Sequence, residues 1–222
     1  MQQLVRYIAA KTYRPLLARY LSGTRLYTYK NIELEVPPEV FHPGFFFSTK
    51  LLFKYLSGLD LNGKKVLELG AGSGLLSIYA AGKEAHVTAI DISRKAVETI
   101  RQNAVRNHVN LEVIRSDMFS ALGGRQFDLI LINPPYYKKD PVSEKEQAWY
   151  CGVNGEYFQS LFKDLASHMH SQTEVIMVLS ENCDLQMIRG YAYEQGFEMK
   201  SFLEKRNLFE TNFLFSIIKQ TA

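Results

Sequence analysis

Asn133, Pro134, Pro135 and Tyr136 end an apolar run, Phe127-Asp128-Leu129-Ile130-Leu131-Ile132, and together they can grip a flat, weakly nucleophilic nitrogen. The lone pair of a carboxamide or ring-attached amine is delocalised into its π system. Two directed acceptors, Asn133 Oδ1 and the main-chain carbonyl of Pro134, can hold both N–H groups and turn the lone pair towards an electrophile. The fixed φ angles of Pro134 and Pro135 stiffen the turn, and Tyr136 offers a face for stacking. Stacking on an aromatic ring stabilises a base by roughly 1–3 kcal/mol. Leaving a buried polar group unpaired costs a similar amount, about 1–3 kcal/mol. The chemistry selected is therefore on a planar group carrying NH2. Asn133, Pro134 and Tyr136 are the candidate catalytic residues and Pro135 and Tyr136 touch the acceptor. Catalysis here is orientation, with no covalent enzyme intermediate, no metal and no dedicated general base.

Upstream, Glu68-Leu69-Gly70-Ala71-Gly72-Ser73-Gly74 reads as a turn between a strand and a helix, where open α/β sheets bind ligands. Its G-x-G-x-G spacing puts Leu75 next to the last glycine, where a dinucleotide fingerprint would extend its spacing, so a phosphate-cradling turn is disfavoured but left open. Asp91 closes the next apolar run and is placed to accept from both ribose hydroxyls of an adenosine; the alternative is an acid at a helix N-terminus beside Ser93. In Ser116-Asp117-Met118-Phe119, Asp117 can accept from an adenine amino group and Met118 can cover the ring, although an aspartate here is also an ordinary turn residue. The candidate cofactor-binding set is Glu68, Gly70, Ala71, Gly72, Gly74, Asp91, Ile92, Asp117, Met118 and Asn133.

Other clusters read as structural. His168 and His170 are two apart on an expected helix and face different directions, which argues against a metal pair. Glu144, Lys145 and Glu146 read as solvated loop. Cys151 and Cys183 match no metal spacing and read as reduced thiols.

The elements that must position these residues follow from periodicity. From residue 65 onward β-branched runs alternate with helical segments, which marks βαβ units and a parallel sheet. Strands are expected at 65–70, 86–91, 110–115, 127–133, 174–180, 197–203 and 212–219. Helices are expected at 74–82, 93–108, 156–170 and 183–195, with Ser93 as an N-cap. The last two strands are joined by too few residues for a parallel crossover and should form an antiparallel hairpin. Residues 138–155, with Trp149, Gly152 and Asn154, form a stretch long enough to grip a substrate.

A chain of 222 residues, 46% hydrophobic and 22% charged, is one ordinary globular α/β domain with an extension. The net charge of +3 is uneven: Arg6, Lys11, Arg14, Arg19, Arg25 and Lys30 give residues 1–30 a charge of +6, so the remainder is +3 − 6 = −3. Tyr7, Tyr13, Tyr20, Tyr27 and Tyr29 are interleaved with those charges, a pattern able to follow a phosphate backbone and stack on bases. The alternative is a solvated face whose long side chains cover apolar surface. Basic residues interrupt the N-terminal apolar stretch, so neither a membrane span nor a secretory signal is expected.

The motifs E-x-G-x-G-x-G, Asp91, Asp117 and Asn-Pro-Pro-Tyr, in that order, resemble those of class I S-adenosylmethionine-dependent methyltransferases. The resemblance covers residues 60–219. It implies a Rossmann-like sheet of seven strands ending in an antiparallel hairpin, preceded by a short, mainly helical N-terminal extension. The corresponding division is an extension with a pocket-lining segment at 1–59 and a methyltransferase domain at 60–222. It also implies S-adenosyl-L-methionine as cofactor and S-adenosyl-L-homocysteine as product, with Glu68 and the glycine turn at the methionine end, Asp91 at the ribose, and Asp117 and Met118 at the adenine. Cys151-Gly152-Val153-Asn154-Gly155 resembles the Gly-Gly-x-Asp/Asn-Gly element of the HemK-like release-factor glutamine methyltransferases, with Cys151 in place of the first glycine. In such families the segment 41–49 lines the pocket, which adds Phe46 and Thr49 to Trp149, Gly152 and Asn154 as substrate-binding candidates.

The implied activity is a cytoplasmic N-methyltransferase acting on a protein glutamine amide, as in a release factor or a ribosome-associated protein. The enzyme alternative is a base methyltransferase acting on adenine N6 or guanine N2 of RNA or DNA. A non-catalytic cofactor-binding partner subunit is a further alternative, opposed by the intact motifs.

Overall fold

The computed structural model describes residues 19–207 and 210–220. Seven strands form one sheet: β3 (Lys65–Leu69), β4 (His86–Asp91), β5 (Glu112–Arg115), β6 (Phe127–Ile132), β7 (Met169–Ser180), β8 (Phe197–Arg206) and β9 (Thr211–Lys219). They lie in the order β5-β4-β3-β6-β7-β9-β8. The first five are parallel, and β9 runs antiparallel to both β7 and β8. The terminal hairpin is thus as expected. The chain reverses its direction of travel across the sheet at β3 and β6, which opens a crevice at their carboxyl ends.

Helices cover both faces, so the central strands are apolar on both sides and show no alternation. Leu67, Ile130 and Ile132 pack with Phe158, Leu161 and Phe162 of α5 (Glu156–Leu165) and with Ile188 and Ala192 of α6 (Leu185–Glu194). Val66, Leu129 and Leu131 face the other way, onto Leu52 and Leu56 of α1 (Phe47–Leu56) and Leu76 of α2 (Leu75–Ala81). Adjacent strand residues point to opposite faces, so a shift of one residue would exchange the two cores.

Two expectations are corrected. The mainly helical extension contains, among its described residues, an antiparallel hairpin, β1 (Arg25–Tyr29) and β2 (Ile32–Val36), ahead of α1. Two asparagines one turn apart on α3 (Arg94–Arg106) and at its end bind the backbone of β2. Asn107 Oδ1 accepts from Glu33 N at 2.9 Å and Asn103 Oδ1 from Glu35 N at 2.8 Å. Their Nδ2 groups return the bonds to the carbonyls of Glu33 and Glu35. The helix expected to reach His170 ends at Leu165, followed by a 3-10 turn at Ala166–His168, and β7 starts at Met169. His168 stacks on Phe119, while His170, on β7, pairs with Asp128 at 3.0 Å. Among the described residues, no helix is long and apolar enough to cross a membrane.

Candidate active site

The turn after β3 is built by glycine. Gly70, Gly72 and Gly74 have φ of 71°, 54° and 83°, a region costly to residues with a Cβ. Gly70 N and Ala71 N both donate to Ile90 O at 2.9 Å, which ties the turn to β4. A Cβ on Gly70 would meet nothing within 4 Å, so its backbone lies open to the crevice. Gly74 plays a different part: a Cβ there would press on Ile100 at 3.2 Å, so this glycine serves the packing of α2 against α3 and lies outside the cavity wall.

The half-buried Asp91 holds the turn from the other side. Its Oδ2 accepts from Gly72 N and its Oδ1 from Ser93 N, both at 2.9 Å. Each oxygen keeps a lone pair for a ligand hydroxyl. Burial raises its pKa against the opposing pull of these backbone donors. Glu68, 7% exposed, accepts at Oε2 from both the backbone N–H and the hydroxyl of Ser77. Burial outweighs those two bonds and pushes its pKa up to about 8.

On the far wall Met118 takes a left-handed backbone, φ 48°, braced by Ser116 Oγ donating to Met118 O at 2.8 Å. Such strain is retained where surrounding structure enforces it and often marks a ligand site. Asp117 stands beside it, exposed at the rim.

Asn133 follows β6 directly. Its Nδ2 donates to Thr49 Oγ1 of α1 at 3.3 Å, which leaves Oδ1 available as an acceptor, and the residue lines the cavity. Tyr136 is partly buried against the core, and burial raises its pKa. The next residues are strapped to the loop: Tyr137 N donates to Trp149 O and Cys151 N to Tyr137 O, both at 3.0 Å. The loop, which contains the one-turn helix α4 (Glu144–Gln147), thus closes one side of a cavity of about 330 Å³.

That cavity gathers Glu68, Gly70, Ala71, Gly72, Asp91, Ile92, Asp117, Met118, Asn133, Pro134, Pro135, Tyr136, Thr49, Trp149 and Gly152. Two other expected residues lie off it. Phe46 packs against Phe41 and Trp149, with ring centroids 4.2 and 5.0 Å away. Asn154 is exposed and donates through Nδ2 to Glu156 Oε1 at 3.0 Å. Gly152, φ 90°, has no room for a Cβ because the Glu156 carboxylate occupies that space. The Gly152-Val153-Asn154-Gly155 element therefore positions Glu156, which sequence reasoning missed although it follows the motif directly. Tyr157, also missed, lines the cavity, and burial together with the nearby Asp91 charge raises its pKa. Among the described residues, the lining side chains of charged type are all acidic: Glu39, Glu68, Asp91, Asp117, Asp140, Glu144 and Glu156, with no Lys, Arg or His.

Residues 32–218 match the family model described as methyltransferase small domain. The chain belongs to this family.

The methyltransferase is 41% identical over 119 residues to a putative protein N5-glutamine methyltransferase of Methanocaldococcus jannaschii, covering 53% of this chain and 56% of that protein. It is 38% identical over 122 residues to a tRNA1(Val) (adenine(37)-N6)-methyltransferase of Shewanella amazonensis, covering 51% and 52%. The chain thus spans about half the length of these curated relatives. In three dimensions it resembles the Thermus thermophilus 16S rRNA N2 G1207 methyltransferase solved with S-adenosylmethionine and guanosine. The TM-score is 0.64 at 19% identity, over 89% of this chain and 50% of that one. The cavity of this chain fits S-adenosylmethionine chemically, because a sulfonium and an ammonium group favour a lining whose described charged side chains are all acidic.

Proposed function

We propose that this methyltransferase modifies the side-chain amide nitrogen of a glutamine in a protein of the translation machinery, such as a release factor. The observation that carries nitrogen chemistry is the orientation of Asn133, whose Nδ2 donates to Thr49 and whose Oδ1 is left to accept from the substrate nitrogen. Asn133 Oδ1 and the Pro134 carbonyl take the two amide hydrogens, and Tyr136, packed against the core at the cavity wall, presents its ring to the amide plane. When bound, S-adenosylmethionine supplies a methyl group activated by a sulfonium. Asp91 receives its ribose hydroxyls, Glu68 and Gly70 face its methionine end, and Asp117 and Met118 face its adenine. The amide is held neutral and loses a proton only after methylation, so no residue is needed as a base.

The choice of polypeptide over nucleic acid rests on charge. A phosphate backbone entering a cavity whose charged lining is acidic throughout the described residues meets repulsion, whereas a neutral glutamine side chain does not. The tyrosines read as possible base-stacking groups are engaged internally where described: Tyr27 stacks on Tyr29, Tyr29 packs edge-on against Phe53, and Arg25 lies over Tyr20. Arg6, Lys11, Arg14, Tyr7 and Tyr13 lie outside the described residues.

The test is tritiated-methyl transfer to recombinant release factor, total RNA and DNA in parallel, with Asn133→Ala alongside. Label on the release factor that falls at least a hundredfold in the variant supports the proposal. Label on RNA alone overturns the glutamine assignment, and undiminished transfer by Asn133→Ala overturns the role of the motif.

A further inference from the structure

The segment at residues 140–148 is a loop whose two ends are tied together. Tyr137 N donates to Trp149 O and Cys151 N to Tyr137 O, both at 3.0 Å, and Gly152 N donates to Lys139 O at 3.1 Å. The loop also carries bonds of its own: Glu146 Oε2 accepts from Val142 N at 3.1 Å, Glu146 Oε1 pairs with Lys139 at 3.1 Å, and Ser143 caps α4. Compact surface loops with joined ends are frequently functional, and closure of such loops over a site often sets the rate of ligand exchange.

The sheet order shows what this loop spans. Its base follows β6, while its tip is bonded to Arg115 at the end of β5 and to Arg94 at the start of α3, which follows β4. β3, with its glycine turn, lies between β4 and β6, so the loop passes over the donor crevice from one wall to the other. Asp140, Pro141, Glu144 and Gln147 line the cavity on the way.

At the tip Glu144 is fastened twice. Its Oε1 accepts from Arg115 Nη2 at 3.1 Å and its Oε2 from Arg94 N at 3.3 Å. Arg115 is itself held, since its Nε donates to Ile92 O at 3.0 Å. Arg94 N belongs to the first turn of a helix, where the backbone N–H has no partner within the helix and a carboxylate is favoured. Burial foremost, and the Glu144 charge in lesser measure, raise the pKa of Asp91, so the fastening lies close to the carboxylate assigned to the ribose. Both members of the ion pair are about half exposed, 48% and 50%, and an exposed pair of this kind is weak enough to open and close readily.

We propose that Glu144 is the catch of this loop, holding it across the donor through Arg115 and Arg94, and that S-adenosylmethionine enters and S-adenosylhomocysteine leaves when the catch opens. Glu144 and Arg115 are then positioning residues, which act on the donor through the loop. The catch is made with and without ligand, so its strength cancels from the affinity and appears in the rates of exchange. The inference rests on the cavity holding this donor and is indifferent to the acceptor.

Trp149 is the single tryptophan of the chain and sits at the base of the loop on the cavity wall, so its fluorescence follows S-adenosylhomocysteine in stopped flow. In the full chain, Glu144→Ala should raise the association and dissociation rate constants alike by about fivefold, the upper end for an exposed pair, with Kd nearly unchanged. Arg115→Met should give most of that gain and Arg94→Pro a smaller part. Proline is favoured at the first helical position and lacks the N–H, and the extended backbone of Ser93, ψ 124°, suits a following proline. Adding Glu144→Ala to the Arg115→Met, Arg94→Pro pair should change neither rate further, and salt should speed exchange more in the wild type than in Glu144→Ala. Wild-type rates in Glu144→Ala overturn the catch. So does faster dissociation with unchanged association, which would mark Glu144 as a ligand contact. Failure of the wild type to bind S-adenosylhomocysteine in calorimetry would overturn the donor assignment and the catch with it, whereas binding at rates that ignore these substitutions overturns the catch alone.

Discussion

Asn133 serves nitrogen chemistry because another side chain decides which end of its carboxamide faces the cavity. Thr49 Oγ1 takes the Nδ2 group. Thr49→Val keeps the shape and removes the partner, which frees the amide to rotate and present a donor where an acceptor is needed. Methyl transfer to whichever acceptor takes label should fall roughly tenfold in kcat, about the 1.4 kcal/mol of one hydrogen bond, with KM for the donor nearly unchanged; Thr49→Ser should restore most of it. Unchanged kcat in Thr49→Val would count against this orientation. Glu68 makes a second prediction at the same scale. Its folded pKa is about 8, raised by burial above its ordinary value of 4.5. The folded state therefore holds a proton that the unfolded chain has lost, and stability falls as pH rises between those values. Melting at pH 5 to 9 without ligand should show the wild type losing stability relative to Glu68→Gln across that window. Parallel curves for the two proteins would show that Glu68 ionises freely in the fold.

Elements explain which residues were legible in the sequence. Gly70, Asp91, Asn133 and Tyr136 sit at strand ends, where a local pattern of apolar run and breaker fixes position, and all reach the cavity as expected. Gly74, Phe46 and Asn154 stand next to cavity residues in sequence but point elsewhere, since contact with Ile100, Trp149 or Glu156 depends on elements distant in sequence or on the turn's own geometry. The hairpin β1–β2 was hidden for a related reason. Its strands are short, and part of their support comes from Asn103 and Asn107 of a helix some seventy residues away. Fully buried Asn103 also donates to Ser73 O at 3.0 Å, so one side chain joins hairpin, helix and glycine turn. Asn103→Leu should destabilise the protein by about 3 kcal/mol, because the buried groups it served are left unpaired, and should weaken S-adenosylhomocysteine several-fold through the turn. Denaturant melts and calorimetry measure the two effects, and a loss of stability without any change in ligand affinity would uncouple the hairpin from the site. Gly152→Ala should cost about 2 kcal/mol through its left-handed backbone and lower transfer by displacing Glu156, whereas Asn154→Ala, on the surface, should do neither to that degree.

At the scale of the whole molecule, the charge of −3 carried by residues beyond the first 30 is concentrated where it matters, since every described side chain of charged type lining the donor cavity is acidic. Arg115 offsets one of them, pairing with Glu144 at 3.1 Å near the rim. The donor and its product differ by one positive charge at sulfur, so the field distinguishes them. At about 7 Å and an effective dielectric of roughly 40, each unscreened carboxylate favours the sulfonium by about 1 kcal/mol; several act together, each weakened by solvent and salt. S-adenosylmethionine should therefore bind at least fivefold more tightly than S-adenosylhomocysteine at low ionic strength, and the ratio should shrink as salt rises from about 20 to 500 mM and the Debye length contracts. Removing charge at the rim through Glu144→Gln and Glu156→Gln should narrow the ratio at low salt and flatten its salt dependence, while the affinity for the neutral-sulfur product moves much less. Competitive calorimetry of the two ligands across that salt range measures it. A ratio near one at low salt, or one indifferent to both substitutions, would mean that the donor is held by shape and hydrogen bonds alone, and that the acidic lining acts only on what approaches from outside.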